Sequence, residues 1–98
     1  MYKEVLEEKG IKQTEDFTLS VLSYEIGKLH QIKVYKERFG SSGFIGDEEA
    51  ELGDALTQIC LLIEQKGFSI DKCRVEGFER FQHRIQEVAL AELKRRHK

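Results

Sequence analysis

Leu19, Leu22, Ile26 and Leu29 recur at spacings of three, four and three, and Ile32 and Tyr35 continue the row with slight drift. That period is one face of a helix. It predicts a long helix running to about Arg38, opened by a cap at Thr14 or Asp16. Upstream, Val5 and Leu6 mark a short helix from Met1 to about Lys9, ended by Gly10. Downstream, the segment Phe39-Gly40-Ser41-Ser42-Gly43-Phe44-Ile45-Gly46 holds three glycines and two serines, which predicts a loop. Its Phe39, Phe44 and Ile45 could fold it against a neighbour. Asp47 is placed to cap a second long helix, with Glu48 and Glu49 in the first turn, where the helix dipole favours anions. Leu52, Ala55, Leu56, Ile59, Cys60, Leu62 and Ile63 give this helix a broad apolar face, which predicts burial on more than one side, and Gly67 stops it. A last helix begins near Asp71, with Val75, Phe78, Phe81, Ile85, Val88 and Leu93 as its apolar positions, and ends in Lys94-Arg95-Arg96-His97-Lys98.

The chain has no proline, and its glycines fall mostly between long stretches rich in Glu, Lys, Leu and Ala. Sandwiches and barrels use Pro and Gly in frequent turns, so the expected fold is an all-α helical bundle. With 98 residues it forms a single domain, 1–98. A hydrophobic fraction of 40% supplies one core but not a generous one, so self-association is expected. Sixteen basic and 18 acidic side chains give a net charge of −2, which argues against a surface built to grip nucleic acid or anionic lipid. The basic run 94–98 reads as a solvated helix end rather than a nucleic-acid contact. No apolar stretch approaches the roughly 20 residues a membrane span needs. The opening MYKEVLEEKG has no apolar leader core, so cytoplasmic residence is the expectation. Cys60 and Cys73 lack a CxxC or paired histidines and read as reduced, inert thiols.

Two segments interrupt apolar helix faces with charge: Glu25-Ile26-Gly27-Lys28-Leu29 and Glu51-Leu52-Gly53-Asp54-Ala55-Leu56. In each, two ionisable groups three residues apart share a helical face. In each a glycine precedes the second group, although Gly costs about 1 kcal/mol relative to Ala inside a helix. A poor helix former kept twice beside acids suggests close approach of something to the backbone. If the two helices pack antiparallel, Glu25, Glu51 and Asp54 converge, and three carboxylates suit Mg²⁺, which completes its shell with waters and phosphates. Against this stands the ordinary tendency of acidic helices to show their carboxylates to solvent; one ExxD alone is a weak pattern.

The pair of segments resembles the paired motif of the MazG-like nucleoside triphosphate pyrophosphohydrolases, which carry an ExxE on one helix and an ExxD on the next. Residues 29–50 separate the motifs, a spacing usual for that family. Gly77-Phe78-Glu79-Arg80-Phe81 with Arg84 is similar to the family's third-helix segment, so the resemblance spans roughly Asp16 to Val88. It implies an all-α bundle completed by dimerisation, as a homodimer or dimer of dimers. The implied activity is Mg²⁺-dependent hydrolysis (Mn²⁺ serving as well) of an NTP or dNTP to the monophosphate and pyrophosphate. A nucleotide is thus the implied substrate or ligand. Glu25, Glu51 and Asp54 match three of the four metal-binding carboxylates and would act as metal ligands and catalytic groups. Lys28, Lys33, Lys36, Arg38 and Arg80 would hold phosphates, although basic residues near helix ends are ordinarily surface charge.

Lys28 stands where the family has its fourth carboxylate, and an ammonium cannot ligate a metal. At i+3 from Glu25 it is expected to pair with that carboxylate or to occupy the cation's own place. Three arrangements remain open: one ion held by Glu25, Glu51 and Asp54 with Lys28 on a phosphate; Glu48 or Glu49 supplying the missing oxygen; or a degenerate site whose leftover carboxylates Lys28 neutralises. The last corresponds to a non-catalytic module that binds a nucleotide or a protein partner. A third reading, a helical nucleic-acid-binding domain, would rest on the basic tail. Tyr24, Tyr35 and Phe44 could stack on a base but read more simply as packing residues, and His30 and His83 have no fixed partner.

Overall fold

A computed structural model describes residues 1–40 and 46–97. Thr14 Oγ1 accepts a hydrogen bond from the Phe17 N–H at 3.1 Å and opens α2 (Glu15–Phe39). Asp47 accepts from the Glu49 N–H at 3.1 Å and opens α3 (Glu48–Gln65). Ser69 caps α4 (Ile70–Arg96), a position earlier than Asp71 suggests, because its hydroxyl reaches the Lys72 N–H at 3.2 Å. Gly40 ends α2 at φ 74°, and Gly67 follows α3 at φ 77°, left-handed conformations that any side chain would strain. With α1 (Tyr2–Glu8), the described residues hold four helices and no strand, an all-α fold. No helix among them is long and apolar enough to cross a membrane. Phe44, Ile45 and the serines of the predicted loop lie outside the described residues, as does Lys98.

The chain divides into two compact units, Met1–Gly67 and Phe68–Lys98. In the first, α2 and α3 pack as an antiparallel pair, since Glu15 pairs with Lys66, Lys28 with Glu51, and Lys36 with Glu48. Their shared core is small: Ile32 from α2 with Ala55, Cys60 and Leu61 from α3. Burying Ile32 or Leu61 stabilises the pair by about 2 kcal/mol each. Thr18 is fully buried and stays satisfied, accepting from Gln13 Nε2 at 2.8 Å and donating to the Thr14 carbonyl at 3.1 Å.

The seam of α2 differs from the apolar row that the sequence displays. Thr18, Glu25 and Ile32, seven apart, turn inward, with Val21, Leu22, Lys28 and Leu29 half-buried beside them. Leu19 and Ile26 remain exposed. The helix is thus rotated by about one residue from its most apolar face, which brings Glu25 and Lys28 into the α2–α3 seam. In α3, likewise, one face is covered while Leu52, Leu56 and Ile59 stay exposed, so the expected burial on more than one side does not occur within this unit.

α1 lies against α3. Met1, its N-cap residue, offers no capping side chain. Glu64 of α3 substitutes: its Oε1 accepts from the backbone N–H groups of Tyr2 at 2.6 Å and Lys3 at 3.2 Å, and the Met1 ammonium sits 3.0 Å from Oε2. In the second unit, α4 stands as one long helix with no buried residue; Val75, Phe78, Phe81, Ile85, Val88, Leu90 and Leu93 are all exposed.

Candidate metal centre

The two interrupted segments meet where α2 and α3 pack. Glu25 comes from α2, Glu51 and Asp54 from α3, and each offers a carboxylate oxygen within 4.8 Å of the others. Glu51 is 5% exposed, Glu25 is half-buried and Asp54 is open to solvent. Glu25 Oε2 and Glu51 Oε1 are buried and have no hydrogen-bond partner. Leaving buried carboxylate oxygens unpaired is costly, more so with like charges adjacent. The Glu25 carboxyl is accordingly pushed above the ordinary carboxylate value, first by the Glu51 carboxyl that would share its proton, then by burial and by the charges of Glu51 and Asp54, with Lys28 pulling the other way.

These features fit a hard divalent cation. All donors are carboxylate oxygens, without His or Cys, a set that suits hard ions such as Mg²⁺, Ca²⁺ or Mn²⁺ better than soft ones. Such an ion would also satisfy the orphaned oxygens. Asp54, on the open side, leaves room for waters or an anionic ligand.

Lys28 is not paired with Glu25. Its Nζ lies 3.3 Å from Glu51 Oε2, across the helix pair, and 5.6 Å above the Tyr24 ring. A lysine stem is long enough to leave its own helix, and Glu51 is the buried carboxylate, where a counter-charge counts most. The Glu51 carboxylate raises the Lys28 pKa above its ordinary value, so the ammonium stays charged. Glu48 does not supply a fourth oxygen: its carboxylate takes the Lys36 ammonium, and among the described residues the cluster consists of Glu25, Glu51 and Asp54 alone.

The remaining candidates disperse. Lys33, Lys36 and His30 line an open groove of about 410 Å³ with Ile26, Leu29 and Leu52, and Lys36 is engaged there by Glu48. Arg38 is exposed in the last turn of α2, at the negative end of the helix dipole. Arg80 belongs to α4, beside Glu76, Glu79, His83 and Arg84. Tyr35 packs on Phe39, ring centroids 5.4 Å apart, and His83 pairs with Glu87 at 3.1 Å. Among the described residues nothing comes against Gly27 or Gly53: a Cβ at either position meets no atom within 4 Å. Tyr24 is the residue whose role the sequence hid, since its place under Lys28 depends on a side chain one turn away leaning back over its ring.

No family model, curated protein or solved structure matches the chain. The geometry of the cluster therefore carries the functional reading.

Proposed function

We propose that this protein is a Mg²⁺-dependent nucleotide pyrophosphohydrolase of the MazG-like type, cleaving an NTP or dNTP to the monophosphate and pyrophosphate. The observation that carries the proposal is the meeting of Glu25, Glu51 and Asp54 from two helices, with orphaned oxygens on Glu25 and Glu51. The motif spacing in the sequence supports the same reading, as does the antiparallel pairing that brings the motifs together. Mg²⁺ or Mn²⁺, held by these three carboxylates, would supply charge neutralisation to the phosphate oxygens. Glu51, fixed by burial and by Lys28, would anchor the site. Asp54, exposed, is the carboxylate positioned to accept a proton from a water on the open side. Lys28 would add a fixed positive charge beside the phosphates.

A homodimer, or a dimer of such dimers, belongs to this proposal. The exposed Leu19 and Ile26 of α2, the exposed Leu52, Leu56 and Ile59 of α3, and the unburied α4 are the surfaces that support it.

The Lys28–Glu51 ion pair favours a second reading, a non-catalytic module whose acidic cluster is neutralised in place. Pyrophosphate release from a panel of NTPs and dNTPs, with Mg²⁺ or Mn²⁺, separates the two. Enzymatic release should fall at least 100-fold in Glu51→Gln prepared identically, the size of loss expected for a group that organises charge stabilisation. Equal traces from wild type and variant would show contaminating hydrolase and favour the module.

A further inference from the structure

We propose that Lys28 takes the place of a second metal ion, so that the cluster is a one-metal site completed by a fixed ammonium. The inference rests on the metal-binding reading above and goes beyond it in setting the number of ions. Two observations carry it.

The first concerns the oxygens of Glu51. A carboxylate that bridges two ions about 3.5–4 Å apart through both of its oxygens gives one to each. Glu51, the most buried member of the cluster, has Oε2 engaged by the Lys28 ammonium at 3.3 Å and only Oε1 unpartnered. Lys28 thus occupies the oxygen that such a bridge would give to a second ion, and Oε1 is left for the first.

The second concerns charge. With an ion bound and the three carboxylates ionised, they and the ammonium would carry two net negative charges, which one divalent cation balances. A second divalent cation would leave the seam with two excess positive charges next to a carboxylate that is 5% exposed, an arrangement a low-dielectric setting penalises. The Lys28 side chain is itself one-third exposed, so an anion can reach it from solvent.

Manganese titration of the full, metal-stripped chain, read by electron paramagnetic resonance of free Mn²⁺, tests this without any assay of activity. Helical content by circular dichroism verifies that each variant is folded. The wild type should take up one tight ion per chain. Lys28→Glu should take up two, with the spectral broadening of neighbouring Mn²⁺ ions. Lys28→Met, which removes the charge without adding a ligand, should still bind one, about tenfold more tightly. Two ions in the wild type would overturn the proposal while leaving the metal centre intact. One ion in both wild type and Lys28→Glu would overturn it as well, since Lys28 would not set the number. No ion in the wild type but one in Lys28→Met would mean that the ammonium occupies the metal's own position, which also overturns it. No ion in any variant would remove the metal centre itself.

Discussion

Glu64 shows how a single carboxylate can tie a helix down. Burial alone would raise its pKa, but the Met1 ammonium and the backbone N–H groups of Lys3 and Tyr2 outweigh burial and hold it below its ordinary value of 4.5. A carboxylate whose folded pKa is depressed stabilises the fold above the unfolded value and loses that contribution as pH falls through the folded value. Attachment of α1 should therefore be intact above about pH 4.5 and weaken below it. Hydrogen exchange of the Tyr2–Glu8 amides at pH 6 and below pH 4 checks this: wild type should lose protection in acid, and Glu64→Gln should be less protected at pH 6 and change little. Equal protection in both proteins at pH 6 would show that Glu64 does not hold the helix. The convergence of Glu25, Glu51 and Asp54 was legible in the sequence as a condition, met once α2 and α3 pack antiparallel. The partner of Lys28 was not, because reach across a helix pair depends on helix rotation, which spacing along one helix leaves undetermined. The Glu64 contact, 62 residues from Tyr2, left only an indirect trace: a first helix without a capping side chain of its own.

At the level of elements, capping residues fixed the starts of the long helices. Thr14 and Asp47 cap where their side chains predict, and glycines stand at or just past both ends. The rotation of α2 was harder to read. Its most apolar row, Leu19 to Leu29, is offset from the seam that α3 covers, since periodicity marks an apolar face without fixing how the helix is rotated against its neighbour. The interior glycines give the sharpest test here. Nothing lies within 4 Å of a Cβ at Gly27 or Gly53, and both have helical backbone, so Gly→Ala should stabilise by about 1 kcal/mol at each. Thermal melting should rise by about 4–8 °C per substitution. A fall in melting temperature at either position would mean that another surface, a second copy or a ligand, comes against that backbone.

At the scale of the whole molecule, the exposed apolar side chains bear on association. Each unit, taken by itself, keeps large apolar side chains exposed among its described residues: Leu52, Leu56 and Ile59 in the first, and Phe78, Phe81 and Ile85 on the helix of the second, the kind of surface that marks an interaction site. Sedimentation equilibrium should accordingly give at least twice the chain mass, and Phe78→Glu combined with Phe81→Glu should shift it toward 11.4 kDa. A monomeric wild type would contradict the proposed assembly. The all-α class was plain from the absent proline and the helical periods; partnership was only hinted at, because a sequence displays apolar faces without saying what covers them.

The central claim is that three carboxylates from α2 and α3 hold a divalent ion beside a charged lysine. An anomalous difference map from crystals grown with Mn²⁺ tests it most directly. The account predicts one peak, within bonding distance of Glu25, Glu51 and Asp54, with the Lys28 ammonium still on Glu51. A map without a peak there, and with the ammonium seated among the three carboxylates, would contradict it.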